Sequence, residues 1–347
     1  MKNNPFTLMY GIASESIVSR EDNIKVIIDS FTEQKNMYTY LITGLRGSGK
    51  TVLLREIEEY FSKNNNWIVI NINPQGDLLK SLASRLYDLG LNEKILGKIS
   101  LSIKLGIITL TRENGESVTD PEIIIEHFLQ KYKEKGIRIL LSIDEVNDTD
   151  EFRKFINFYQ VVISKAYPLY LLMTALQENI NSLINDKAMT FLSRAPKIVL
   201  QPLPLTNIAL NYKEIFNIND NEAVKMAKLT NGYAFAYQVL GYLFYEAKLT
   251  KLNDKILQSY DKYLWNNGYS KFWQDSTGVE KEFLIALAKC DGQKDNIISQ
   301  GFSSSNYSKY RQRLLEKGLV YMPRQKYLAF VLPRFKEYVL FMAAFEE

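Results

Sequence analysis

The run Gly44-Leu45-Arg46-Gly47-Ser48-Gly49-Lys50-Thr51 fills the pattern G-x-x-x-x-G-K-[ST] at every fixed position, and it follows the strand-like stretch Thr39-Tyr40-Leu41-Ile42-Thr43. A chain with this feature must place a tight turn between a strand and a helix. The glycines let successive backbone N–H groups converge on a phosphate, and a helix beginning near Lys50 adds its positive end. Lys50 is expected to reach the β- and γ-phosphates of a nucleotide such as ATP, and the Thr51 hydroxyl to lie on an Mg2+ ion bridging the same oxygens. A glycine-rich turn that binds nothing would have to match the fixed positions, the strand and the helix by accident.

The flanking pattern predicts an α/β fold. Residues 52–62 read as a helix with Leu53, Leu54, Ile57 and Phe61 inward, and Trp67 to Ile72 as an apolar strand, completing a βαβ unit of a parallel sheet. Helical stretches follow at residues 78–89 and from Asp120-Pro121-Glu122 to Lys133. Between them Ile99, Leu101, Ile103 and Leu105 alternate with polar residues before Gly106, which suggests an inserted hairpin covering an edge. A second apolar strand, Ile137 to Ile143, delivers Asp144 and Glu145 at its carboxyl end, where open α/β sheets bind ligands. Asp144 is then expected to hold the magnesium ion and Glu145 to polarise an attacking water as general base. The alternative is a solvated acidic turn. Residues 152–164 read as a helix and Leu169 to Met173 as a further strand ending in Thr174, which either contacts the γ-phosphate or the water, or merely closes the strand. A helix over residues 180–191 leads to Arg194, which either supplies a cation to phosphates of its own or a neighbouring subunit or pairs with surface acids.

At 347 residues the chain is longer than one core supports, so two or three units are expected. A net charge of +4 is too mild to imply nucleic acid or membrane binding by itself. One cysteine, Cys290, excludes an intrachain disulfide, and one histidine, His127, argues against His-rich metal sites and a Ser-His-Asp triad. Both read as packing residues. The apolar stretches are shorter than a membrane span, and a cytoplasmic protein is expected.

Pro202 and Pro204 end the sheet region, and residues 205–247 read as helical, with Thr230-Asn231-Gly232 as a turn. The expected division is a nucleotide-binding core over 1–204, a helical lid and packed connection over 205–278, and a C-terminal domain over 279–347. That last domain reads as helix, helix, helix and two strand-like segments, 319–322 and 327–332, around Pro323-Arg324-Gln325-Lys326. On its third helix Tyr307, Tyr310, Leu314 and Leu315 form the inward stripe, Arg311 snorkels, and Asn306, Lys309, Gln312 and Arg313 point away.

With these residues laid out, the chain resembles over its full length the prokaryotic AAA+ ATP-binding proteins related to archaeal and origin-recognition ATPases. Asn4-Pro5-Phe6-Thr7, Gly11 and Ser19-Arg20-Glu21 are similar to the family's N-terminal box, with Leu8 and Ser19 replacing a proline and a glycine. The remaining landmarks are Gly44–Thr51, Leu140 to Val146, Phe191 to Ala195, Thr230 to Ala234 and Tyr307 to Gly318. The resemblance implies a P-loop parallel-sheet core, a helical lid and a C-terminal winged helix. It places Arg20 at the nucleotide, although a plain helix cap is an equal reading of Ser19 to Asp22. It makes Thr174 a sensor of the γ-phosphate and Arg194 a residue acting across a homo-oligomer, and it leaves the lid motif without its usual arginine.

Two functions follow from the resemblance. One is an ATP-driven switch whose winged helix contacts duplex DNA through Asn306, Lys309, Gln312, Arg313, Arg324 and Lys326. The other is a signalling or assembly ATPase whose winged helix binds protein or only packs. A small-molecule kinase is disfavoured by Asp144-Glu145 together with a helical lid.

Overall fold

The computed structural model describes residues 3–8, 14–33, 37–92, 100–104, 107–111, 115–177, 179–180, 183 and 190–346. Gly11, Ile99, Leu105, Gly106 and most of the helix expected over 180–191 lie outside them. The chain divides into two compact units, one made of Glu21–Thr43 and Lys50–Val199, the other of Met1–Arg20, Gly44–Gly49 and Leu200–Glu347.

The first unit is built on a five-stranded parallel sheet. Its strands are β1 (Thr39–Thr43), β2 (Trp67–Ile72), β6 (Arg138–Ile143), β7 (Leu169–Ala175) and β8 (Lys197–Val199), in the order β2-β6-β7-β1-β8. Continuous apolar runs occupy the central strands, and β1, β6 and β7 are buried almost throughout, as strands covered on both faces must be. β7 lies between β1 and β6, with Thr43 level with Ala175 and Ile143 level with Met173. Sequence-distant strand ends therefore meet side by side.

Helix α1 (Glu21–Thr32) buries Ile27, Ile28 and Phe31, and α2 (Lys50–Ser62) buries Leu53, Leu54, Ile57 and Phe61. The Phe61 and Trp67 rings lie 4.3 Å apart and tie α2 to the edge strand β2. Helices α3 (Leu78–Asn92), α4 (Pro121–Glu134) and α5 (Asp150–Ser164) complete the layers. The inserted segment is a separate antiparallel sheet, β3 (Ser100–Lys104), β4 (Ile107–Thr111) and β5 (Ser117–Val118). Its Ile108 and Leu110 are buried in the same apolar cluster as α3 and α4. His127 is half-buried beside Phe128, as a packing residue. Residues Thr190–Arg194 form α6.

In the second unit, α7 (Leu205–Phe216), α8 (Asp220–Thr230), α9 (Ala234–Glu246) and α10 (Asp254–Leu264) follow one another. The Asn4 amide donates to Glu246, and the Thr7 N–H donates to Gln238 at 3.1 Å, both on α9. Phe6 presses so closely on Gly241 that a Cβ there would lie 2.4 Å from its ring, which requires glycine in this helix. The segment expected as a packed connection contains a π-helical turn, Trp265–Tyr269, and a short helix α11 (Ser270–Gln274), with Tyr269 and Trp273 buried.

Then come α12 (Gly278–Lys289), α13 (Lys294–Ile298), α14 (Ser304–Glu316), the antiparallel pair β9 (Val320–Tyr321) and β10 (Ala329–Phe330), and α15 (Phe335–Glu346). The strands are shorter than the pattern suggests because the Leu328 N–H donates to the Gly292 carbonyl and the Lys294 N–H to the Lys326 carbonyl, so this backbone pairs with the loop before α13. Helix α15 is apolar almost all round, so no 3.6-residue stripe marks it in the sequence. Among the described residues no helix is long and apolar enough to cross a membrane.

Candidate nucleotide site

The register of β6 and β7 brings Asp144, Glu145 and Thr174 together. The Thr174 hydroxyl donates to the Asp144 carboxylate and accepts the Glu145 backbone N–H at 2.8 Å, while the Val146 N–H donates to the Thr174 carbonyl at 2.8 Å. Thr174 is fully buried, so these bonds have no competing water. Glu145 adopts a left-handed φ of 58°, a conformation that costs a non-glycine residue on the order of 1 kcal/mol or more and that concentrates at functional positions. Its exposed side chain leaves the strand end while Asp144 stays half-buried. From α2, the Thr51 hydroxyl donates to Asp144 at 2.8 Å. Lys50, the first residue of α2, is only 5% exposed.

A divalent ion fits this donor set: one hydroxyl and one carboxylate on hydrogen-bonding terms are the protein share magnesium takes when phosphates supply the rest. No group of three or more His, Cys, Asp or Glu able to hold a metal by itself occurs among the described residues.

The glycine-rich turn, Gly44–Gly49, is held by its own unit. The Arg46 carbonyl accepts the Tyr233 hydroxyl at 2.8 Å, the Gly47 carbonyl accepts the Phe235 N–H at 3.0 Å, and the Ser48 carbonyl accepts Arg20 at 3.0 Å. Arg20 also donates to the Gln201 carbonyl at 2.7 Å. Gly47 and Gly49 take φ values of 73° and 94°, which only glycine adopts freely. Beside the turn is a small recess lined by Arg20, Leu45, Ser48, Pro202, Gly232 and Tyr233 among others. The Ser48 hydroxyl is buried there without a hydrogen-bond partner, a polar atom that a bound ligand would satisfy.

Arg194 ends α6 with its side chain exposed. On α14, Tyr307 and Leu314 are buried, while Asn306, Lys309, Gln312 and Arg313 are exposed, as are Arg324 and Lys326 in the turn after β9. Arg311 is half-buried with its guanidinium 5.8 Å from the Tyr307 ring. Several of the outward groups have local partners: Gln312 donates to Glu316 at 2.9 Å, and the Arg324 guanidinium lies 3.7 Å from the Tyr327 ring centre.

Three features of the site were not legible in the sequence. Buried Glu58 of α2 accepts from Ser142 of β6 and, at 3.0 Å, from Asn71 of β2, so the helix carrying Lys50 and Thr51 is fastened to the strand carrying Asp144. The Thr43 hydroxyl donates to Gln177 at 2.8 Å, joining the residue before Gly44 to the segment after β7. The Tyr233 hydroxyl bonds the Arg46 carbonyl; its place directly after Thr230-Asn231-Gly232 was the one signal available.

Family models match two segments, Mitochondrial ribosomal death-associated protein 3 over residues 17–96 and Domain of unknown function (DUF8462) over residues 267–339. No curated protein matches the sequence. Among solved structures, the chain is similar to the Walker-type ATPase paby2304 of Pyrococcus abyssi, with 16% identity over 96% of this chain and 99% of that one and a TM-score of 0.68. It is also similar to the ORC2 protein of Aeropyrum pernix, at 11% identity, 98% of both chains and a TM-score of 0.58. Cdc6p of Pyrobaculum aerophilum aligns at 13% identity over 97% of both chains, with a TM-score of 0.51. The fold is therefore the one shared with these proteins, a parallel α/β core with a C-terminal helical domain.

Proposed function

We propose that the chain is an Mg-ATP-binding AAA+ ATPase of the cytoplasm that works as a nucleotide-dependent switch. In this reading residues 1–204 are the core, 205–278 the lid and 279–347 a winged helix coupled to duplex DNA. The observation that carries it is the bonded set Thr51, Asp144, Thr174 and Glu145, which joins the last residue of a complete phosphate-loop motif to the acidic strand end. Gly44–Thr51 would cradle the phosphates, with Lys50 set against the terminal ones. Thr51 and Asp144 would hold Mg2+, which when bound neutralises charge on the phosphoryl group. Thr174 keeps Asp144 and the Glu145 backbone in place, and Glu145 takes a proton from the attacking water. Arg194, exposed on α6, would complete a neighbouring subunit's site in a homo-oligomer. The similar Aeropyrum pernix protein was solved as ADPNP–ADP complexes, which supports the nucleotide reading.

Nucleotide titration tests the proposal. Lys50→Ala should lose ATP binding, and Glu145→Gln should bind ATP yet lose hydrolysis, because the amide keeps the shape without the basicity. Wild-type affinity in the first variant would sink the phosphate-loop reading.

A second reading, a signalling or assembly ATPase whose C-terminal domain binds protein or only packs, is favoured by the partners that Gln312 and Arg324 already have. Duplex DNA binding separates the two. Each phosphate contact contributes about one unit to the slope of log affinity against log salt, so Lys309→Ala should flatten that slope by about one. Absence of salt-sensitive binding with and without ATP leaves the protein-binding reading.

A further inference from the structure

In a planar trans peptide the C=O of one residue and the N–H of the next point in opposite directions. Whatever holds a carbonyl in a loop therefore aims the following N–H the other way. In the turn Gly44–Gly49 three consecutive carbonyls are each held by a donor from outside the loop: Arg46 by the Tyr233 hydroxyl, Gly47 by the Phe235 N–H, Ser48 by the Arg20 guanidinium. The following amides are those of Gly47, Ser48 and Gly49. The Ser48 N–H closes the turn on the Leu45 carbonyl at 3.2 Å, and those of Gly47 and Gly49 are turned away from Tyr233 and Arg20 respectively.

The fit leaves little slack. A Cβ at Gly47 would lie 2.4 Å from the Tyr233 hydroxyl and 3.0 Å from the Phe235 Cβ. Tyr233 itself is 6% exposed, so its hydroxyl has no easy alternative in solvent. Tyr233 and Phe235 flank the start of α9, and the Gly232 carbonyl accepts the Leu203 N–H at 2.7 Å, which fixes the turn before that helix.

We infer that Tyr233 and Arg20 are positioning residues that pre-aim the Gly47 and Gly49 amides of the glycine-rich loop at a phosphate chain, while Phe235 fixes the turn between them. Tyr233 acts on phosphate affinity without contacting the nucleotide. The inference rests on the phosphate-binding reading of Gly44–Thr51 and adds to it the origin of the loop's shape, which the motif alone does not supply. Because the carbonyl grips come from the protein's own donors, they lower the ordering cost of binding, and their loss should weaken ground-state and transition-state binding alike.

The test uses full-length Tyr233→Phe, which removes one hydroxyl and keeps the ring, with Mg-ATP and inorganic tripolyphosphate as competing probes against a fluorescent ATP analogue. Affinity for both probes should fall by the same factor, about tenfold, equivalent to about 1.4 kcal/mol, and KM for ATP should rise with kcat at saturation unchanged. An unaltered affinity for both probes overturns the inference. So does a loss confined to ATP, because it would place Tyr233 at the base or ribose. Lys50→Ala is run beside it: if that variant loses both probes and Tyr233→Phe loses neither, the positioning inference alone fails, whereas wild-type binding by Lys50→Ala removes the phosphate reading itself. Should Tyr233→Phe not fold by thermal melt, Arg20→Lys, which can reach one of the two carbonyls but not both in a fork, is measured in the same assay, and equal affinity to wild type there overturns the inference.

Discussion

Thr174 offers a measurement that separates architecture from chemistry. Replacement by valine keeps the volume and the branch at Cβ but removes a hydroxyl that is fully buried and makes two hydrogen bonds. The bond to the Asp144 carboxylate is of the charged type, worth roughly 1.5–3 kcal/mol, and the orphaned Glu145 N–H adds part of a desolvation penalty of about 1–3 kcal/mol. Partial relaxation and Asp144's remaining bond to Thr51 reduce the sum, so a loss of about 2–3 kcal/mol is expected. For a domain of this size that is a fall of roughly 4–12 °C in the melting transition. Thr174→Ser, which keeps the hydroxyl, should stay much closer to wild type. The strained Glu145 backbone also loses its tether, so hydrolysis should fall by on the order of a hundredfold while ATP affinity changes far less, a split read from single-turnover rates and titrations. If Thr174→Val melts with the wild-type protein and turns ATP over at the wild-type rate, neither bond matters and the reasoning fails.

Arg194→Ala subunits mixed with Glu145→Gln subunits should regain part of the activity that each lacks alone, and wild-type activity should rise with concentration; no rescue together with concentration-independent turnover confines Arg194 to its own chain. Stability should fall in acid through Glu280, whose carboxyl lies below its ordinary value of 4.5: burial alone would raise it, but the Lys317 ammonium at 2.8 Å and the Thr277 N–H outweigh that effect. A depressed carboxyl contributes stability above its unfolded value and loses it as pH drops through the folded one, so the loss should begin near pH 4.5 and proceed downward. Glu280→Gln should flatten that limb of an acid-unfolding curve, and an unchanged limb would show that other carboxylates govern it.

The local sequence was enough to place the phosphate-loop turn, the strands on either side of it and the acidic strand end. Glycines at 47 and 49 and an unbroken apolar run before Asp144 are short-range signals, set by φ freedom and by burial on both faces of a strand. The same holds for the outward face of α14, where a 3.6-residue stripe separates Tyr307 and Leu314 from Asn306, Lys309, Gln312 and Arg313. Composition failed at α15, which carries no stripe because it is apolar almost all round, and at the C-terminal strands, whose length depends on hydrogen bonds to Gly292 and Lys294 far away in the chain. Sheet order is likewise a tertiary fact: nothing local to Thr174 says that β7 lies between β1 and β6, yet that insertion brings its hydroxyl to Asp144 and Glu145, 30 and 29 residues away. The donors that hold the carbonyls of Arg46 and Gly47 lie even farther off, 187 residues on at Tyr233 and in the following helix. Motif residues could be read from spacing because each constrains its own backbone, whereas the groups that orient them are chosen by which elements pack together, and that choice is made only when the chain folds.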